Sequence, residues 1–245
     1  TLVYQIDDNH KRLLWVGDRR EEQTLDAFFK WFGKERTDKL GAICSDMWKP
    51  YLKVIKARAP KAVHVLDRFH IMSNMGKAID KVRAEEARKM ATDGYEPVLK
   101  KTRFLLLKRP ENLSVAQEIK LSDLVKYNLK SVRAYLLKED FQNFWNYKSS
   151  AWAAKFLDRW CNQTMKSKIE PMKDIAKMLR RHKNLILNWF EMQGKIWAGI
   201  VEGFNTKAKL TTRKAFGFRI YKVYRIALFH QLGDLPTPNF VAKLC

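Results

Sequence analysis

The sequence predicts an α/β fold in which a small mixed sheet is followed by a long helical block. Segments rich in β-forming residues alternate with helical patterns as far as residue 70. Beyond residue 70 hardly any strand-like run occurs until about residue 197. We therefore expect three parts: an α/β part at 1–70, a helical block at 71–197 and a C-terminal helical part at 198–245.

The chain begins with a predicted β-hairpin. Two runs of β-forming residues, 1–6 and 12–16, flank a turn cluster that contains Asp7 and Asp8. Both aspartates are most simply interpreted as turn residues. A helix is predicted over 22–32, where the apolar residues recur at helical spacing.

Two short apolar runs, 40–44 and 62–66, predict buried strands. The first strand is followed by Asp46 and the second by Asp67. A helix is predicted between them over 48–59, with Pro50 in its first turn. Since α/β sheets place functional groups at the carboxyl ends of their strands, both aspartates are candidate site residues.

The middle of the chain is a succession of predicted helices separated by glycine and proline. They cover residues 71–91, 95–107, 114–126, 129–137, 139–147, 149–165 and 168–192. The final part contains a single predicted helix over 199–230. We interpret the middle as an all-helical subdomain.

The chain is strongly basic. Its 245 residues carry 48 Lys and Arg against 26 Asp and Glu, a net charge of +22. Such an excess indicates a polyanionic partner, and nucleic acid is favoured because Lys and Arg contacts to phosphate release counterions. No apolar run reaches the length of a membrane-spanning helix, so a membrane is not expected as a partner. The three cysteines form no metal-binding motif.

Each candidate acid also has a simple structural explanation. Asp46 fits the N-terminal cap of the following helix, and Asp67 fits a cap or an ion pair with Arg68. His70 fits an ordinary histidine at a helix start. Glu202 fits a first-turn acid favoured by the helix dipole. The alternative is that carboxylates from distant segments share a cation, and Mg²⁺ prefers such oxygen ligands.

Glu202 stands at the head of a basic segment. On a helix it shares one stripe with Thr206, Lys209 and Arg213, whereas Val201, Phe204, Ala208 and Ala215 share another. The basic stripe is either a solvated face or a surface that contacts phosphates. The cations predicted to bind DNA in this segment are Lys207, Lys209, Arg213, Lys214 and Arg219.

Four segments resemble the DDE transposases of bacterial insertion sequences, specifically the IS-L-three group. They are residues 14–19, the run Asp46-Met-Trp-x-x-Tyr51, the run Asp67-Arg-Phe-His70, and Glu202-Gly-Phe-Asn205 with residues 213–219 after it. Their order and spacing match that group over most of the chain.

The resemblance implies a ribonuclease H-like (RNase H-like) core whose mixed sheet is interrupted by a large all-helical insertion. It implies Mg²⁺- or Mn²⁺-dependent cleavage and strand transfer of DNA, with transposon ends and target DNA as partners and self-association of the protein. Asp46 and Glu202 would be catalytic metal ligands, and Asp67 and His70 would support them. The implied location is the bacterial cytoplasm, associated with the nucleoid.

One element of the family pattern has no counterpart. The first catalytic aspartate of the family lies on a strand upstream of the hairpin, and Thr1 begins in what looks like the second strand. We therefore expect a truncated transposase that binds metal weakly and cleaves DNA poorly. The alternative function is that of a basic helical protein that binds nucleic acid without catalysis.

Overall fold

The structure is a computed structural model that describes residues 1–7, 9–95, 98–108, 110–192 and 198–236. Asp8 of the predicted hairpin turn and the predicted boundary at residue 197 lie outside these ranges. The described residues form two compact units, the first from the ranges 1–67 and 194–245 and the second from 68–193.

The first unit contains four strands and five helices among its described residues. The strands are β1 (Leu2–Ile6), β2 (Lys11–Val16), β3 (Ala42–Ser45) and β4 (Val63–Leu66). The helices are α1 (Glu22–Phe32), α2 (Lys34–Asp38), α3 (Lys49–Arg58), α11 (Ala198–Lys214) and α12 (Tyr221–Leu232). The predicted hairpin, the first helix and both buried strands are therefore present.

The strands form two separate pairs. β1 and β2 are antiparallel, with Leu2 opposite Val16, and β3 and β4 are parallel. Among the described residues no hydrogen-bonded ladder joins the two pairs, so the predicted mixed sheet is present as one antiparallel and one parallel pair. Every residue of β1 and β3 is only partly buried, whereas β2 and β4 each contain fully buried residues.

Helices cover both faces of the hairpin. On one face, Val3 and Trp15 pack against a core of α1 and α3 residues that Ile43 of β3 also contacts. On the other face, Leu13 and Val16 are buried with α11 and α12 residues, namely Ala208, Leu228 and Leu232. Side chains alternate along each strand, and the register shift between Val3 and Tyr4 lets Leu13 and Val16 face the same core.

The second unit is entirely helical in its described residues. Its α-helices are α4 (Arg68–Thr92), α5 (Arg103–Leu107), α6 (Val115–Val125), α7 (Lys130–Gln142), α8 (Ser150–Met165), α9 (Glu170–Arg181) and α10 (Lys183–Glu191). Short 3₁₀ turns cover Pro110–Asn112 and Asn143–Asn146. Its core includes Trp160, whose ring N–H donates a 2.9 Å hydrogen bond to the Leu137 carbonyl.

Four predicted helices differ in extent. The predicted helix at 168–192 is divided at His182, and the predicted helix at 95–107 is helical only from Arg103. The predicted break at residue 138 is absent, because α7 buries Leu137 and Lys138 on its packed face. No described helix has the length and apolarity that a membrane span requires.

The single helix predicted over 199–230 is wrong. The chain forms α11 and α12 instead, and the segment between them contains Phe216 and Gly217 in left-handed backbone conformations, at φ 52° and 93°. A left-handed residue ends an α-helix because it directs the chain away from the helix axis.

Candidate active site

Asp46 and Asp67 lie at the C-terminal end of the parallel strand pair. Ser45 is opposite Leu66 in the register, and each aspartate is the next residue along its strand. The Asp67 backbone N–H continues the ladder by donating to the Ser45 carbonyl at 2.9 Å. Burial raises the pKa of the Cys44 thiol to about 12, and the negative charge of Asp67 adds to this effect. Strand pairing therefore brings two sequence-predicted acids to one edge.

Both carboxylate oxygens of Asp46 have partners. Oδ2 lies 2.6 Å from Nη2 of Arg20, and Oδ1 accepts a 3.0 Å hydrogen bond from the Trp48 backbone N–H. The capping interpretation is thus partly right, although the N-cap residue of α3 is Trp48. The Asp46 side chain is 20% exposed, so its carboxylate remains accessible.

The aromatic residues of the Asp-Met-Trp-x-x-Tyr run pack beside this carboxylate and its arginine partner. The Arg20 guanidinium lies over the Trp48 ring at 4.9 Å, and Trp48 meets Tyr51 edge to face at 4.7 Å. Tyr51 also shares a hydrogen bond with the Thr1 hydroxyl. The spacing of the motif is therefore explained by packing that fixes Arg20 against Asp46.

A polar pair lies behind Asp46. The Ser45 hydroxyl donates to the Asp46 carbonyl at 2.9 Å and lies 2.8 Å from Nε2 of His64. The Ser45 hydroxyl and the His64 ring therefore share a hydrogen bond, and the tautomer of the ring sets which of them donates. Burial lowers the pKa of His64 to about 4, so the ring is neutral at pH 7.

The Asp67-x-x-His70 element spans the boundary between the two units. The first segment of the first unit ends at Asp67, and α4 of the second unit begins at Arg68 and contains His70 in its first turn. His70 is exposed and meets Phe69 edge to face at 5.8 Å. The supporting role predicted for Asp67 and His70 stays a prediction.

The first half of α11, which contains Glu202, is fixed to strand β1 by aromatic and polar contacts. Phe204 stacks on Tyr4 with 5.0 Å between the ring centroids, and the Tyr4 hydroxyl donates a 3.0 Å hydrogen bond to Oδ1 of Asn205. Ala208, one turn further, is buried. Glu202 is exposed and has no hydrogen bond or ion pair among the described residues. The Gly-Phe-Asn part of the motif thus fixes the helix that presents this carboxylate.

The predicted basic surface is exposed. Lys207, Lys209, Arg213, Lys214 and Arg219 all face solvent, as do Glu202 and Thr206. The apolar stripe predicted on this helix is only partly confirmed. Phe204 and Ala208 pack inward, whereas Ala215 lies beyond the end of α11 and is exposed. The described residues contain no group of three or more His, Cys, Asp or Glu that is arranged to hold a metal ion.

A second basic surface lies in the helical unit. Lys100, Lys101 and Lys120 line a shallow depression of about 480 Å³ together with Tyr127. Asp123 also lines it and pairs with Lys126 at 2.8 Å. Lys101 has a left-handed backbone at φ 58°, between the buried residues Leu99 and Thr102. This turn holds two lysines outward side by side.

Sequence reasoning missed Arg20 and His64. Arg20 follows the hairpin motif in a run of charged residues, and only the fold shows that it faces Asp46, 26 residues away. His64 occupies the middle of an apolar strand, and a polar residue in such a strand was the available signal.

The first unit has two acids at the C-terminal ends of paired strands and a further acid on a basic helix. The helical unit interrupts it in the chain. This arrangement is typical of a DDE-type recombinase. The family model described as "Transposase", that of the ISL3 DDE transposases, matches residues 1–228. The chain belongs to this family.

Two curated relatives are transposases of insertion sequences. The transposase of IS1001 from Bordetella parapertussis is 30% identical over 216 residues, which are 87% of this chain and 53% of the relative. The transposase of IS1557 from Mycobacterium tuberculosis is 29% identical over 259 aligned residues, 96% of this chain and 58% of the relative. The chain thus spans little more than half the length of these relatives. No solved structure matches it.

Proposed function

We propose that this chain provides the catalytic part of a DDE transposase that cleaves DNA at transposon ends and transfers the strands, in a metal-dependent reaction. The proposal rests on one observation. Asp46 and Asp67 lie together at the C-terminal end of the parallel strands, and Glu202 lies on a basic helix of the same unit. Membership of a transposase family supports it.

The proposed metal ligands are Asp46 and Glu202. Carboxylate oxygens are the donors that Mg²⁺ and Mn²⁺ accept, and Mg²⁺ sites often use only one or two carboxylates with phosphate and water oxygens. Both carboxylates are accessible, which fits this chemistry. A bound metal would activate the attacking water and stabilise the leaving oxygen.

Arg20 has a positioning role in this proposal. Its guanidinium neutralises Asp46 and is itself held by the Trp48 ring. A charge-assisted bond of this length orients the carboxylate strongly. Arg20 therefore keeps the Asp46 carboxylate aligned until a cation and DNA phosphates arrive.

Gly203 supports close approach of DNA to Glu202. Glycine inside a helix costs about 1 kcal/mol relative to alanine. A Cβ added at Gly203 would meet no atom within 4 Å, so protein packing does not require the glycine. Absence of a side chain next to Glu202 leaves room for a nucleic acid backbone.

The finer architecture is also a proposal: an RNase H-like core from 1–70 and 198–245, interrupted by a helical insertion at 71–197. The open edges of β1 and β3, both only partly buried and both lying over the α1–α3 core, support it. A further strand paired with both edges would turn the two pairs into one mixed sheet. That strand would satisfy the backbone groups along both edges.

A Glu202→Gln variant tests the function. It removes one charge and keeps the size of the side chain. We expect Mn²⁺ binding to weaken about tenfold and any nicking of supercoiled DNA to disappear, whereas DNA affinity stays within about twofold. Glu170→Gln, an exposed glutamate of α9, is the matched control. Equal Mn²⁺ affinity in wild type and Glu202→Gln would overturn the proposed role.

The second candidate is a nucleic-acid-binding protein without catalysis, and the lysine depression in the helical unit favours it. Under this candidate, substitution of Glu202 changes neither metal binding nor DNA binding. In either case we propose DNA as the partner, the bacterial cytoplasm at the nucleoid as the location, and self-association as the means of holding two transposon ends.

A further inference from the structure

The turn between α11 and α12 has the hydrogen bonds of a Schellman motif. The Gly217 N–H donates to the Thr212 carbonyl at 2.9 Å, and the Phe216 N–H donates to the Arg213 carbonyl at 3.1 Å. These are the two bonds that define the motif, and they place Phe216 at the position that is usually glycine. Its φ of 52° is in the left-handed region.

Phe216 contributes nothing to packing that would offset this conformation. Phe216 is 101% exposed, the highest value among the exposed large apolar residues that the structure describes. Phe218, two residues later, behaves as a structural aromatic residue instead and packs on Tyr224 with 5.6 Å between ring centroids. A glycine at 216 would suit the turn better, because it adopts left-handed backbone without steric cost.

Cations flank Phe216 along the chain. Arg213, Lys214 and Arg219 are all exposed, and none of them has an ion pair among the described residues. An aromatic ring flanked by unpaired cations matches surfaces that bind single-stranded nucleic acid, where bases stack on the ring and phosphates contact the cations.

We infer that Phe216 stacks on a nucleobase of DNA whose phosphates contact Arg213, Lys214 and Arg219. The face of a base is covered within an intact duplex, so the ligand is single-stranded or locally unstacked DNA. The inference rests on the proposed function for its partner, DNA. It adds the strand conformation that the protein recognises and the residue that recognises it.

Substitutions at 216 separate stacking from other roles. The probe is a single-stranded oligonucleotide that contains 2-aminopurine, whose fluorescence is quenched on stacking, with affinity measured by anisotropy. We expect Phe216→Gly to unfold at an equal or higher temperature than wild type and to bind about tenfold more weakly. The salt dependence of binding should not change, because no charge is removed. Phe216→Trp should retain both affinity and quenching.

Two further variants serve as controls. Phe216→Leu keeps an apolar side chain without a ring, and we expect it to lose quenching and affinity as Phe216→Gly does. Phe104→Leu makes the same change at a phenylalanine that is 61% exposed in the helical unit, and it should bind as wild type does. Lys214→Gln should flatten the salt dependence of binding and leave the quenching of bound probe unchanged.

Each of the following outcomes would overturn the inference. A lower unfolding temperature for Phe216→Gly would assign Phe216 a structural role. Wild-type affinity of Phe216→Leu, or a change in its sedimentation, would indicate an apolar protein contact or a second copy of the chain at this surface. If wild type and Phe216→Gly bind DNA equally, the base contact fails while the proposed function stands. If wild type binds no DNA, both fail.

Discussion

Arg20 and Asp46 form a 2.6 Å ion pair that joins the end of the hairpin to the edge of the parallel strands. The guanidinium lies over the Trp48 ring, and Arg20 is largely exposed whereas Asp46 is 20% exposed. Since a metal ion would compete with this guanidinium for the same carboxylate, the pair leads directly to a testable consequence.

Replacement of Arg20 by Gln should strengthen Mn²⁺ binding. Without the guanidinium, Asp46 offers an unpaired carboxylate, and we expect an increase in affinity of about three- to tenfold by calorimetry. Stability should fall by no more than about 1 kcal/mol, because Arg20 is largely exposed. Arg19→Gln, at the neighbouring exposed arginine that pairs with Glu21, is the control and should not change the affinity. Weaker Mn²⁺ binding in Arg20→Gln would contradict a competing guanidinium.

The Tyr4–Asn205 bond predicts a stability effect at α11. Burial raises the pKa of Tyr4, which keeps its hydroxyl protonated as a donor. Tyr4→Phe retains the stacking on Phe204 and removes only the hydrogen bond, so we expect a loss of about 0.5–1.5 kcal/mol in urea unfolding. Tyr127→Phe, at an exposed tyrosine, should cost almost nothing. An equal effect of both variants would show that the bond does not hold the helix.

His64 predicts that stability falls with acidification. Its pKa is about 4 in the folded chain against 6.5 when unfolded, so between these values the unfolded state binds more protons. The free energy of unfolding should therefore fall as the pH is lowered from 7 to 4, by up to about 3 kcal/mol from this group. His64→Gln should flatten that part of the profile. His230→Gln, on the exposed side of α12, should not, and a profile unaffected by His64→Gln would contradict the assignment.

Two lysines with the same backbone conformation allow a test of whether the depression in the helical unit binds DNA. Lys101 and Lys168 both have left-handed backbones, at φ 58° and 59°, and both are exposed. Only Lys101 lies beside Lys100 and Lys120. We expect Lys101→Gln to weaken binding to duplex DNA about three- to fivefold in a filter-binding assay, and Lys168→Gln by less than twofold. Equal losses would show that the depression is no preferred site.

The local pattern of the sequence was sufficient for the strands and for the acids that follow them. The hairpin strands are rich in β-forming residues, α1 has apolar residues at helical spacing, and Asp46 and Asp67 directly follow apolar runs. The contacts around Asp46 were not predictable, because the approach of Arg20 depends on how the hairpin packs beside α3. The separation of the two strand pairs was missed for the same reason, since strand pairing between distant segments leaves no local pattern.

The break after α11 shows another limit of sequence reasoning. Residues around Phe216 continue a helical apolar spacing and contain no proline, so periodicity predicts one long helix. Only Gly217 indicated a possible end, and the residue that takes the left-handed C′ position is the phenylalanine before it. A residue that contradicts its local preference in this way is often functional.

Paramagnetic broadening by Mn²⁺ in amide NMR spectra of the 28.9 kDa chain tests the central claim, a metal shared by Asp46 and Glu202, most directly. The measurement works at weak affinity because broadening needs only transient binding close to the observed amide. We predict that substoichiometric Mn²⁺ broadens the amides around Asp46 and Glu202 together, and that Asp46→Asn removes both effects. Broadening at one site without the other, or broadening at Glu202 that survives Asp46→Asn, would contradict a shared metal site.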